Sequence, residues 1–278
     1  MKFDLKGLFI VLIFSATCLF SKPSSAYTVL IDPGHGGSDA GARHGSIKES
    51  EIALKVSLML AELLRKDPTF KVLMTRDRDE KLTLEQRAQK AKEIKPDLFI
   101  SIHLNSSADP RAHGREFYFQ NQLPADEEAM FLVSRENSEG EIAEGASNDR
   151  LSAETDVKRI LEDLKRNHRI RESSEFSKTL LEAWLADGQS RRIGSLPIRQ
   201  APFYVVSNVP SPSVLVELGF ITHATEGPRL AQSDYQQLLA RSIYEGLVKY
   251  KDSVDKGPAR LLQSAQQADP KVESVKPE

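Results

Sequence analysis

Two histidines stand where short apolar runs end. His35 closes the turn in "VLIDPGHGG" (Val29 to Gly37), with glycine on both sides, and His103 closes "LFISIH". The other four histidines, His44, His113, His168 and His223, have no such setting. Catalytic zinc is held by His, Cys, Asp or Glu, with one position left for water. The single cysteine, Cys18, lies in the N-terminal apolar segment, so a zinc site here has to use imidazole and carboxylate. Two acidic residues, Glu49 and Glu51, open an amphipathic segment in which Ile52, Val56, Met59, Leu60, Leu63 and Leu64 recur at helical spacing. Either could supply a third ligand, and spacing alone does not choose between them. Glu217 sits inside "SVLVELGF", where a carboxylate costs several kcal/mol unless it is paired or metal-linked. The plainer readings are hydrogen-bonded structural histidines and a Glu217 paired with an arginine.

These residues need a scaffold that brings strand ends together. Tyr27 to Ile31, Phe70 to Met74, Asp97 to Asn105, Arg115 to Gln120, "FYVVS" and "SVLVELGF" read as strands. Ile52 to Leu64, Leu84 to Ile94, Glu127 to Val133, Ala153 to Leu164, Ser173 to Ala186 and a last segment from Ser233 or Asp234 to about Tyr250 read as helices. Alternating strands and helices predict an α/β domain with a central, mostly parallel or mixed sheet flanked by helices. In such sheets, sites form at the carboxyl ends of strands, which is where His35 and His103 fall. Between Asn121 and Arg169 the pattern loosens into an acidic, partly helical insertion.

With 278 residues, 40% of them hydrophobic, the chain can bury a full core. A net charge of −2 without a basic run argues against nucleic acid as a partner. Lys2 and Lys6 precede the apolar stretch Gly7 to Phe20, and Ser24-Ser25-Ala26 offers a cleavage position. That is the layout of a signal peptide over residues 1–26, too short in its apolar part for a membrane span. Cys18 lacks the leucine three residues earlier that a lipidation signal uses. The expectation is an exported chain starting at Tyr27, without a membrane span and without disulfides. It has a domain over 27–252, an insertion at about 121–169 and a disordered tail over 253–278.

Four blocks, "VLIDPGHGGSDAGA", "KESEIALKVSLMLAELL", "VLMTRDRDEKLTLEQRAQKAKEIKPDLFISIHLNSS" and "PSPSVLVELGFITH", occur in that order. Together they resemble zinc-dependent N-acetylmuramoyl-L-alanine amidases of the AmiC/LytC type, over about Tyr27 to Tyr250. The resemblance implies one zinc ion held by His35, Glu49 and His103, with Glu217 as the catalytic carboxylate. The family's Glu-x-x-Ile-x-Leu pattern falls on Glu49, Ile52 and Leu54, which selects Glu49 over Glu51. It implies hydrolysis of the amide between N-acetylmuramic acid and the L-alanine of the stem peptide in peptidoglycan, in a periplasmic setting. The rival readings are a zinc peptidase acting within the stem peptide and a non-catalytic cell-wall binding module. One departure stands out: "GFITH" puts His223 where members often have asparagine, either as a titrating group at the rim or facing solvent. Division-associated members can carry a helical cover over the zinc that an activator protein displaces. The insertion is long enough for one, and its Glu136, Glu139, Glu141 or Glu144 could supply a further ligand; the alternative is a surface decoration that shapes the cleft.

Overall fold

The computed structural model describes residues 26–121, 125–138, 153–186 and 197–267. The expected signal peptide, apart from its last residue, lies outside these residues, as do Glu139, Glu141 and Glu144. Among the described residues no helix is long and apolar enough to cross a membrane.

Six strands form the central sheet: β1 (Tyr27–Pro33), β4 (Phe70–Met74), β5 (Leu98–Asn105), β6 (Glu116–Phe119), β7 (Ile198–Gln200) and β8 (Ser213–Phe220), in the order β4-β1-β5-β8-β6-β7. The first four in that order run parallel, β6 pairs antiparallel with β8, and β7 runs parallel to β6. The sheet is therefore mixed, as expected. A small hairpin, β2 (Arg43–His44) with β3 (Ile47–Lys48), leads into α1 (Glu49–Arg65).

Side chains alternate between the faces of each strand. Val29, Ile31, Leu98, Ile100, Ile102, Leu104, Val214, Val216 and Leu218 pack into one core with α1, α4 (Ala153–Ala186) and α7 (Ser233–Gln267). Leu30, Phe99, Tyr118 and Leu215 pack into a second core with α2 (Leu84–Ile94), α3 (Glu127–Ser138) and α5 (Tyr204–Ser207). On this second face, polar groups replace apolar ones toward the carboxyl ends: Asp32, Ser101, His103 and Glu217 are all buried. The interruption of three apolar strands at one level and on one face creates the site.

Three elements differ from the expectation. "FYVVS" is not a strand: Tyr204 to Ser207 is one helical turn that buries Val205 and Val206 in the second core, with the Tyr204 amide donating to Asn137 Oδ1 of α3 at 3.0 Å. Packing overrides the strand preference of its β-branched residues. The helical segments expected at Ala153 to Leu164, within the insertion, and at Ser173 to Ala186, beyond it, join into one α4. The last helix, α7, continues past Tyr250 to Gln267.

Candidate metal centre

The chain reaches His35 through a turn in which His35 itself has a positive φ of 53°. Three successive carbonyls of that turn accept from buried guanidinium groups. Arg76 donates to Pro33 (3.0 Å) and Gly34 (2.7 Å), and Arg87 donates to Pro33 (2.6 Å) and His35 (2.7 Å). Arg87 also pairs with Asp32 at 2.7 Å, and Asp32 accepts from Thr75 (2.6 Å) and Ser101 (2.8 Å). Burial pushes the Asp32 carboxyl up, but Arg87 and these hydroxyls hold it below the usual carboxylate range.

Glu49 is the first residue of α1 and fully buried. Its Oε2 accepts from the Ala42 amide at 2.8 Å and its Oε1 from the Leu104 amide at 3.0 Å. The second of these is available because β5 changes register between His103 and Asn105, so that Leu104 turns its N–H away from the ladder. Glu51 instead lies at the surface, paired with Lys48 at 2.7 Å.

Four donors converge: one atom each from His35, Glu49, His103 and Glu136, all within 4.8 Å of one another. Glu49 Oε1 lies 3.1 Å from His35 Nε2 and 3.0 Å from His103 Nδ1. Glu136 Oε2, from α3, lies 3.2 Å and 3.4 Å from the same nitrogens. A tetrahedron with zinc–ligand bonds near 2.1 Å has edges of about 3.4 Å, so the donor set and its spacing fit zinc. His35 turns Nδ1 to Asp39 Oδ2 at 3.0 Å, a contact that seats the ring proton there and leaves the Nε2 lone pair to the cluster. Two glycines make the approach possible. A Cβ at Gly34 would meet the His103 ring at 2.5 Å, and one at Gly41 would meet Glu49 Oε2 and the His35 ring at 2.5 Å.

Glu49, Glu136 and His103 hold one another in charged form. Burial pushes the Glu49 carboxyl up, yet the neighbouring His35 and His103 bring it down to about 2. Burial pushes the His103 imidazole down, but Glu136 and Glu49 raise it to about 10. Glu217 lies opposite His103 in the β5–β8 register, fully buried, with neither carboxylate oxygen hydrogen-bonded. Burial raises its carboxyl well above the usual range; His103 opposes this, while Glu49 and Glu136 reinforce it.

The structure brings His35, Glu49 and His103 into one cluster with Glu217 opposite His103, while Glu51 and His223 stand apart from it. Glu136 was one of four acidic candidates in the insertion; α3 carries it into the cluster. Its other oxygen, Oε1, is held by Arg135 at 2.9 Å, and Arg135 also donates to Ser106 Oγ. Only about 20 Å³ of free space remains beside His35, His103 and Glu136, room for about one water. Sequence reasoning missed Arg76, Arg87 and Asp32. For Asp32 and Arg76 the signal was charge at the end of an apolar run, at "LID" and "MTR"; Arg87, in the polar "TLEQRAQK", carried none. His223 is engaged within its own loop, where its Nδ1 accepts from the Glu226 amide at 3.1 Å, in the first turn of α6 (Glu226–Leu230).

Two histidines at strand ends, joined by carboxylates from two helices, define a candidate metal centre on a mixed sheet. The model of the N-acetylmuramoyl-L-alanine amidase family matches residues 29–249, and the chain belongs to that family. It is 31% identical over 246 residues to a probable N-acetylmuramoyl-L-alanine amidase AmiB of Haemophilus influenzae, covering 86% of this chain and 55% of that protein. It is 29% identical over 223 residues to the amidase AmiC of Escherichia coli, covering 80% of this chain and 52% of that one. The chain spans about half the length of both relatives. Among solved structures, an N-acetylmuramoyl-L-alanine amidase from Clostridium difficile superposes with a TM-score of 0.61 at 26% identity, over 83% of this chain and 99% of that one.

Proposed function

We propose that the chain is an exported, periplasmic peptidoglycan amidase. It would hydrolyse the bond between the lactyl group of N-acetylmuramic acid and the L-alanine of the stem peptide. The observation that carries this reading is the convergence of donor atoms from His35, Glu49, His103 and Glu136, within 4.8 Å of one another, beside a buried Glu217 with no hydrogen-bond partner. His35, Glu49 and His103 would hold one zinc ion. When bound, zinc supplies Lewis acidity toward the scissile carbonyl and brings a water's pKa toward neutrality. Asp39 orients His35, and the Ala42 and Leu104 amides orient Glu49. Glu217, adjacent to the donors and shielded from solvent, takes the proton of the attacking water and returns it to the leaving amine. Its raised carboxyl suits that return.

Glu136 belongs to the same reading as the resting-state occupant of the fourth position. The insertion is then a cover, and an activator would act by drawing α3 away. The cramped space beside Glu136 supports this. So do Ile160, Leu161 and Leu164, which α4 presents to solvent at 60%, 49% and 60% exposure, an apolar stripe suited to a partner.

Release of dye from labelled sacculi, read beside metal content, tests the assignment. Glu217→Gln should keep zinc and lose roughly 100- to 10,000-fold in turnover, whereas His35→Ala should lose both. Full turnover by Glu217→Gln would defeat the role given to that residue. Products should be intact stem peptides with a free alanine amine; shortened stems would mark a peptidase instead. Glu136→Ala should raise turnover in the absence of any partner, and an unchanged basal rate would remove the cover reading.

A further inference from the structure

The insertion makes a second ionic attachment outside the metal cluster. Arg199 lies on β7, opposite Tyr118 of β6, with its side chain 9% exposed. One edge of its guanidinium is committed to the fold: Nη1 donates to Glu116 Oε1 at 2.9 Å, and Glu116 accepts further from Asn105 and Tyr118. The other edge is given to the insertion. Nη2 donates to Asp126 at 2.6 Å and to Glu128 at 2.9 Å. Those two carboxylates are 58% and 62% exposed, so the buried cation is the fixed half and the acids are the removable half. Drawing α3 away leaves a shielded guanidinium edge without its anions, a costly state unless another anion arrives.

Register and helix pitch show which anion fits. Glu116 stands opposite Glu217, and Arg199 is level with Tyr118, two residues further along β6; two strand spacings across and two residues along put Glu217 and Arg199 about 12 Å apart. An extended peptide covers that distance in about three residues. Glu128 and Glu136 are separated along α3 by about 12 Å at helical rise. The helix therefore sets one carboxylate on the metal donors and one on Arg199, at nearly the span between Glu217 and Arg199. A cavity of about 430 Å³, lined in part by Asn105, Tyr118, Glu128, Arg135 and Thr222, lies along this path.

We propose that Arg199 binds a carboxylate of the acidic stem peptide, two to three residues from the scissile amide. Asp126 and Glu128 fill that subsite in the resting state as Glu136 fills the metal position. This rests on the amidase reading with α3 as its cover. In outline, the insertion imitates an acidic peptide substrate at both ends.

The test uses the full chain in a D126N/E128Q/E136A background, with N-acetylmuramoyl peptides whose second- or third-residue carboxylate is free or amidated. Adding Arg199→Met should raise KM for the free-acid peptide about tenfold, leave kcat unchanged, and leave the amidated peptide unaffected. Arg199→Lys should recover part of the loss and guards against a folding defect. An acid-to-amide preference equal with and without Arg199 would overturn the proposal, as would an equal loss on both peptides. If no variant cleaves either peptide, the amidase reading fails. Equilibrium binding of the free stem peptide to the same variants then decides Arg199 by itself: tenfold weaker binding on Arg199→Met supports it, and unchanged binding removes it.

Discussion

Single residues at this centre are tuned by their neighbours rather than by their own chemistry. His103 is raised to about 10, with burial opposing and Glu136 and Glu49 prevailing. It is therefore protonated at neutral pH when no metal is bound. A metal ligand has to be deprotonated, so metal uptake must expel that proton. The sign follows: below about pH 10 the apparent metal affinity should climb as pH rises, by roughly tenfold per unit for each proton released. Zinc titrations in two buffers of different ionisation enthalpy would count the protons. Affinity flat between pH 6 and 8 would contradict a protonated His103. The two histidines and Glu217 were legible in sequence because each breaks an apolar run. Glu49 was separable from Glu51 only through the family pattern, since both open the same helix. Its burial depends on the turn at Gly41, and no single-helix pattern encodes that.

Elements succeed or fail here through the carbonyls they leave to be satisfied. The His35 turn is held by α2 through Arg87 and by the end of β4 through Arg76, not by a regular ladder. Arg87→Met should cost about 3–5 kcal/mol by leaving Asp32 buried and unpaired, seen as a lower melting temperature and weaker zinc binding. The loss should shrink in acid. Asp32 is depressed in the fold, so its contribution is present above the ordinary carboxylate range and disappears as pH falls through the lower folded value. The continuous apolar runs of β1, β5 and β8, buried on both faces, and the helical spacing of α1 and α2 were readable because each is a simple pattern along the chain. α5 was not: "FYVVS" has strand composition, and only its contact with Asn137 and the second core makes it a turn of helix. The hairpin β2–β3 and the edge strand β7 were too short to carry any period.

At the scale of the molecule, two cores on opposite faces of one sheet supply the packing. The single cysteine stands at position 18, outside the described residues. No disulfide therefore constrains this domain, and bound metal becomes the available clamp. It should add RT ln(1 + [metal]/Kd), about 4 kcal/mol at a thousandfold excess over Kd. A melting temperature that rises with zinc and falls back with chelator is expected; one indifferent to both would mean the cluster binds no ion. The α/β class, the mixed sheet and the convergence of His35 with His103 all followed from strand ends. The seat of Glu136 did not, because several acids in the insertion are chemically equivalent in sequence. Only the docking of α3 against Ala201, Phe203 and Leu215 in the second core distinguishes it.

Glu136 reaches the centre on its own chain, and under the proposed cover this has a consequence for when the protein is silent. A tethered carboxylate is present at a local concentration fixed by its leash, millimolar or higher, and that figure does not fall when the protein is diluted. On the proposed reading, dilution into a large volume would leave the covered state as populated as before. Free acetate or glutamate in the surroundings would compete poorly with it. Release then calls for something that grips the leash itself.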